Sequence, residues 1–321
     1  MSQQMIMVSL EELVSSNHIY RRFCELWNFE AVKKHLKLVE KDNNYKGYGL
    51  LRLFKCLLLQ FMEDLSDREL ERYLQENMVG KWFCGFGLTD ITPNFTVFNK
   101  VRTRIGTKQL SKIFGEFRDQ LKAQGYMNEV FSFVDASHLI VKANLWQERD
   151  KAIKQKYDKL NNEVLPKVAI DKQARIGCKG KDKYWYGYKK HASVDMQSGL
   201  INKVAITPAN VTDAKGLRHV CPGQGAAYAD KGYCTNDAKQ SASKKGCYLA
   251  AIKKNNMSGK NKDKDRWYSK IRAPYERVFS KQNKRTRYHG VAKNQFAAFM
   301  EAICFNLKRL SVLDPPNLVL T

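Results

Sequence analysis

At Val130-Phe131-Ser132-Phe133-Val134-Asp135 the chain changes character. Upstream, apolar residues recur every three or four positions. Here they cluster as a strand requires, and the run ends on a carboxylate. Tyr184-Trp185-Tyr186-Gly187-Tyr188 leads into a second strand, Lys190-His191-Ala192-Ser193-Val194-Asp195, and Gly199 turns the chain into a third, Leu200 to Thr207, completing a hairpin. A short helix is expected near Asp213 to Val220. Ala226-Ala227-Tyr228-Ala229-Asp230 reads as a fourth strand, again ending on a carboxylate. Residues 236–245 read as a helix and Tyr248 to Ile252 as a fifth strand. After the charged run Lys253 to Lys270 come two helices, one holding Glu276 and the other, 291–312, burying Phe296, Phe299, Met300, Ile303, Leu307 and Leu310 at helical spacing. Three strands, helix, strand, helix, strand, helix is the order of an RNase H-like fold. The expected architecture is therefore an α-helical N-terminal domain followed by an α/β RNase H-like domain with a mixed five-stranded sheet.

Working back from Val130, Leu50, Leu51, Phe54, Leu57, Leu58 and Phe61 form one helical face. Ser66-Asp67-Arg68-Glu69 is a capping-box pattern that opens the next helix. Thr92-Pro93-Asn94 starts a segment that ends near Gly106, and a last helix, about Lys108 to Gln124, stops at Gly125. Short helices with tight turns suit a helix-turn-helix-like DNA module. They suit a helical dimerisation domain equally well. The domains are expected at 1–125 and 126–313, with a polar, basic insertion at 142–183 and a loose tail at 314–321.

The chain has 321 residues, 43% of them hydrophobic and 11% aromatic, which excludes a wholly disordered protein. Fifty-six Lys and Arg against 32 Asp and Glu leave a net charge of +24. Residues 1–125 hold 19 basic and 15 acidic side chains, the remainder 37 and 17, and the stretch 239–293 alone 17 and 3. The excess sits in the second domain and calls for a polyanionic partner, of which nucleic acid is the commonest. Eight cysteines occur without a CxxC pair, no signal-peptide pattern is present, and Leu50 to Phe61 is too short to span a bilayer. The expectation is a cytoplasmic protein with reduced thiols and no membrane partner.

Asp135 and Asp230 end the first and fourth strands; if these strands are neighbours, both acids project from one sheet edge. A helix crossing that edge can bring Glu276 to them. Hard oxygen ligands of this kind suit Mg²⁺ or Mn²⁺. Two such ions, about 3.5–4 Å apart, activate an attacking oxygen and stabilise the leaving one in phosphodiester displacement. A single acid at such a position is more often a turn or cap residue; the joint placement inside a basic half carries the inference.

The segments Phe133-Val134-Asp135-Ala136-Ser137, Ala229-Asp230-Lys231-Gly232-Tyr233 and Arg272-Ala273-Pro274-Tyr275-Glu276-Arg277-Val278-Phe279 resemble the three acid motifs of DDE transposases of bacterial insertion sequences, the insertion-sequence-five group above all. Further similarity lies in Tyr186-Gly187-Tyr188-Lys189-Lys190-His191, in Thr207-Pro208-Ala209-Asn210-Val211-Thr212-Asp213 and in Arg287-Tyr288-His289-Gly290. Residues 40–125, with Leu65-Ser66-Asp67-Arg68-Glu69-Leu70, are similar to that group's N-terminal domain. The resemblance implies a cut-and-paste recombinase in which Asp135, Asp230 and Glu276 hold two Mg²⁺ ions, replaceable by Mn²⁺. Water would cut at the transposon end, and the freed 3′-OH would attack target DNA. Double-stranded DNA, both terminal inverted repeats and target, is the implied partner, a homodimer the implied synaptic state, and the bacterial nucleoid the implied location.

Arg272 matches the arginine of the family's tyrosine–arginine–glutamate–lysine signature, and a guanidinium suits bidentate phosphate binding. The signature tyrosine position holds Ser269, with Tyr268 one residue off, and the signature lysine position holds Asn283, so Lys281 or Lys284 must substitute. Arg287, Lys231 and Trp267 complete the expected DNA contacts, Trp267 as a stacking surface. His219, Cys221, Cys234 and Cys247 lack the close ligand pairs of structural zinc and read as core residues. Tyr184, Trp185 and Tyr186 read as core strand residues, and His138 and His289 as solvated or packed. Two other functions fit the same residues: a defective copy that binds repeat DNA as a repressor, and an RNase H-like nuclease without strand transfer.

Overall fold

A computed structural model describes residues 8–38, 48–142, 145–155, 160–180, 183–280 and 283–313. The chain forms two compact units. One comprises the described residues up to Phe117 together with those from Ile303 on; the second runs from Arg118 to Ala302. The first unit thus takes back the end of the last helix, which sequence assigns to the second domain. The 314–321 tail lies outside the described residues.

The helical unit contains α1 (Leu10–Leu13), α2 (Ile19–Leu26), α3 (Phe29–Lys37), α4 (Leu50–Met62), α5 (Asp67–Glu76), α6 (Met78–Cys84) and the first part of α7 (Phe95–Ala123). Helix α4 is apolar on most of its surface and buries Leu53, Phe54, Leu57 and Leu58 completely. The capping box at Ser66 is formed: Glu69 N–H donates to Ser66 Oγ and Ser66 N–H to Glu69 Oε2. Helix α7 is broken at Gly106, whose φ of 62° and ψ of 171° are non-helical, where sequence divides the segment. Arg102 clamps Asp67 with both guanidinium nitrogens, at 2.7 and 2.5 Å, and also reaches Gln60 at 3.1 Å.

The second unit is built on β1 (Phe131–Val141), α8 (Leu145–Lys154), α9 (Leu165–Val168), β2 (Arg175–Lys179), β3 (Lys183–Asp195), β4 (Ile201–Pro208), α10 (Asp213–Val220), β5 (Ala226–Ala229), α11 (Asn236–Ser243), β6 (Tyr248–Ala251), α12 (Lys262–Ser280), β7 (Arg285–Thr286) and α13 (Val291–Leu310), whose end belongs to the first unit. Among the described residues the sheet has seven strands rather than the five expected from sequence, because β2 and the two-residue β7 join it. Its order is β2-β3-β1-β5-β6, with β4 also on β3 and β7 also on β1. Strands β1, β3 and β4 are antiparallel neighbours, whereas β5 runs parallel to β1, and β6 to β5. This pairing, with helices after β4, β5 and β6, is the RNase H-like arrangement. The described part of 142–183 is not the featureless insertion that its composition suggests: it contains α8, α9 and an edge strand.

Alternation along the central strands sorts the two faces. Val134, Ala227 and Ala229 pack with Leu217 and Val220 of α10 and Ala238 and Ala242 of α11. Tyr228 and Ala250 point the other way and pack with Tyr268 and Ile271 of α12. Gly216 allows α10 its close approach: a methyl group there would lie 2.1 Å from the His191 ring.

Candidate active site

The first strand does not stop at Asp135, as sequence suggests, but runs on to Val141 against β3. What ends near Asp135 is the parallel pairing with β5, whose last partners are Phe133 and Tyr228. Asp135 and Asp230 each lie two residues beyond that pair. They leave the same end of the β1–β5 seam, on the face that α12 covers. Asp135 Oδ1 accepts its neighbour's Ala136 N–H at 2.8 Å, and Asp230 Oδ1 accepts Gly232 N–H at 2.7 Å, capping the single turn Lys231–Tyr233.

Burial above all, and then the charges of Asp230 and Asp213, push the Asp135 carboxyl up to about 6, although Ala136 N–H and Arg272 pull it down. Folded Asp135 holds its proton more tightly than unfolded Asp135. The stability tied to its neutral form is present below the unfolded value, roughly 4, and is lost as pH rises through about 6. Asp135→Asn is therefore expected to stabilise the chelator-treated protein by about 2–3 kcal/mol at pH 7.5, with the gain vanishing near pH 4. Urea unfolding at the two pH values checks this; an equal effect at both would contradict it.

On α12, Tyr268 is buried against Tyr228, with ring centroids 5.5 Å apart, and Trp267 stands half-exposed against the same ring at 6.1 Å. One to two turns on, the Arg272 guanidinium lies 5.3 Å from the Phe133 ring centre. Arg272 is only 7% exposed, and its Nε has no hydrogen-bond partner among the described residues. Its Nη2 lies 3.8 Å from Glu276 Oε1, and the Glu276 side chain is 61% exposed. The structure thus brings Asp135 and Asp230 together with Arg272 beside them, while Glu276 faces Arg272. Among the described residues no group of three His, Cys, Asp or Glu side chains is disposed to hold a metal ion.

The aspartate pair fits a divalent cation. Two hard oxygen donors share one half-buried edge, and one of them is held against ionisation by burial and by its neighbour's charge, a strain that a cation relieves.

Three of the expected DNA contacts are exposed. Lys231 is exposed immediately after Asp230, and Lys284 and Arg287 are exposed in the loop before α13. Burial of Tyr268 makes it a packing residue rather than a surface contact. Lys281 lies outside the described residues. Tyr184 is two-thirds exposed and not in the core, whereas Tyr186 is buried, with its hydroxyl donating to the Asp171 carbonyl at 2.6 Å. Six of the eight cysteines are buried; Cys178 is exposed and Cys24 partly so.

Two residues escape a sequence reading. Asp171, inside the supposed insertion, is buried and accepts from Tyr188 Oη with both oxygens at 2.8 Å and from Gly290 N–H at 3.0 Å. Asp213 opens α10 and pairs with Lys189 at 2.8 Å. Either acid reads in sequence as an ordinary turn or helix-start residue.

Comparison with known proteins bears directly on this geometry. A family model described as a transposase domain (DUF772) matches residues 8–104. Another, the transposase DDE domain, matches residues 137–307, more than half of the chain, and includes Asp230, Arg272 and Glu276. No curated protein matches. The cryo-EM structure of a piggyBac transposase synaptic complex with hairpin DNA is similar at 8% identity and a TM-score of 0.37, over 94% of this chain and 75% of that one. No helix among the described residues is long and apolar enough to cross a membrane. With an RNase H-like sheet carrying two aspartates at its central parallel seam and a family match across that unit, the chain belongs to the DDE-domain transposases.

Proposed function

We propose that this transposase moves an insertion sequence of the insertion-sequence-five group by cut-and-paste transposition, acting in the bacterial cytoplasm on nucleoid DNA. The observation that carries the reading is the convergence of Asp135 and Asp230 at the end of the β1–β5 seam, beneath the helix that bears Arg272 and Glu276. Asp135 and Asp230 would hold one Mg²⁺ jointly, and Glu276 would complete the site of a second, with Mn²⁺ able to substitute. Bound there, the ions would polarise the phosphodiester and lower the pKa of the attacking water.

The chain's own groups divide the remaining work. Arg272, buried and stacked over Phe133, is a fixed cation that orients a phosphate at the acid edge without reading sequence. Lys231, Lys284 and Arg287 would neutralise flanking phosphates, and Trp267 offers an exposed indole face for an unpaired base. The helical unit would bind the terminal inverted repeats or pair two copies in a synaptic homodimer. Incubation of a labelled element end bearing a free 3′-OH with supercoiled plasmid is expected to give covalent joining. End cleavage without joining would favour a nuclease, and repeat binding without either step a repressor.

A further inference from the structure

On the face of the sheet opposite α12, a third acid reaches the same edge. Asp213 begins α10, and Lys189 of β3 holds its Oδ1 at 2.8 Å, with both side chains largely shielded from solvent. The other oxygen, Oδ2, points at Gly232. A methyl group on Gly232 would lie 3.6 Å from Asp213 Oδ2 and 3.0 Å from Asp230 Oδ1, so the two carboxylates converge on one glycine. Tyr233, the next residue, gives an independent sign of the same convergence. It is fully buried, and its hydroxyl finds no hydrogen-bond partner among the described residues. Burial and then the charges of Asp135, Asp213 and Asp230 drive that phenol far above its ordinary value. The cationic groups set against these three carboxylates differ in place: Arg272 acts on Asp135 from α12, and Lys189 acts on Asp213 from β3.

We propose that Asp213 and Lys189 are a positioning pair that sets how tightly the Asp135–Asp230 end binds a divalent cation. The inference rests on the reading of those two aspartates as the cation's ligands. Asp213 adds negative potential beside Asp230, and Lys189 both fixes the carboxylate beside Gly232 and offsets part of its charge. Removing one partner exposes the other, so the two single substitutions act in opposite directions. Lys189→Met leaves Asp213 uncompensated and tightens cation binding; Asp213→Asn leaves Lys189 uncompensated and weakens it. A pair that served only to hold α10 on the sheet would loosen the site in both variants.

The test is calorimetric titration of the full chain with Mn²⁺, without DNA, for wild type, Lys189→Met, Asp213→Asn and the double variant. The expected result is a Kd lowered roughly 3- to 10-fold in Lys189→Met, raised by a similar factor in Asp213→Asn, and returned toward wild type in the double variant. Shifts in the same direction, or none, would overturn the proposal, and the double variant keeps the test valid if one single variant loses structure. Asp135→Ala and Asp230→Ala are titrated alongside. Wild-type binding that survives both would remove the ligand reading itself, and this inference with it.

Discussion

Asp171→Ala is expected to destabilise the protein by about 3–5 kcal/mol, the cost of removing one side of a buried ionic hydrogen-bond network. The carboxylate gathers Tyr188 Oη at 2.8 Å, Gln173 N–H at 3.1 Å, Ala174 N–H at 3.3 Å and Gly290 N–H at 3.0 Å. Burial, then the hydrogen bond to Asp171, push the Tyr188 phenol well above its ordinary range. Gln173 continues the bridge by accepting Val291 N–H at 2.7 Å. The segment that composition marks as an insertion thus ties Gly290 and Val291, at the start of α13, to Tyr188 of the sheet. Asp171→Asn keeps acceptor oxygen and is expected to cost less; Tyr188→Phe, which removes a donor rather than the shared acceptor, is expected to cost about 1–2 kcal/mol. Urea unfolding of the full chain ranks the three. An Asp171→Ala protein within about 1 kcal/mol of wild type would show that the Gly290 turn is held by other contacts.

The strands that carry buried apolar residues on a regular period are the ones apparent in the sequence. β3, β4 and β5 each bury most of their length, β1 buries Ser132, Phe133 and Val134 in succession, and β6 is the uncharged run Tyr248-Leu249-Ala250-Ala251; their order alone implies the RNase H-like topology. Strand β2 escapes because Arg175-Ile176-Gly177-Cys178-Lys179 buries only Gly177; it is a strand because β3 offers it an edge. β7 is two residues long, and its pairing with Ile140 and Val141 is a tertiary event with no local signature. The full length of β1 was hidden for a related reason. Beyond Asp135 the strand carries Ala136, Ser137 and His138, half-buried residues whose extended conformation comes from β3.

Of the site, Asp135 and Asp230 follow from strand register, since a carboxylate two residues past the last parallel pair on each strand must leave by the same end. Glu276 is placed on the predicted helix, yet helical position does not dictate where a long, exposed side chain points, and Arg272 one turn earlier is its partner. Asp213 and Asp171 become visible only when the fold sets them beside Gly232 and Tyr188.

Loss of catalysis is the larger functional effect expected. Asp230 is held by its own turn, through Gly232 N–H, and replacing it removes a donor from the paired site without unpacking a core. Asp230→Ala is expected to slow Mg²⁺-dependent cutting by at least roughly 10³-fold, equivalent to about 4 kcal/mol of transition-state stabilisation. Glu276→Ala is expected to act as severely, although that side chain is exposed and contributes little to folding. The decisive measurement is cleavage of a labelled duplex carrying the element's own terminal repeat, in Mg²⁺, for wild type, Asp230→Ala and Glu276→Ala, with duplex binding followed in parallel. A metal-dependent DDE recombinase cuts as wild type and falls silent in both variants while still binding the repeat. Cutting that persists in either variant would mean that the chemistry belongs to other residues.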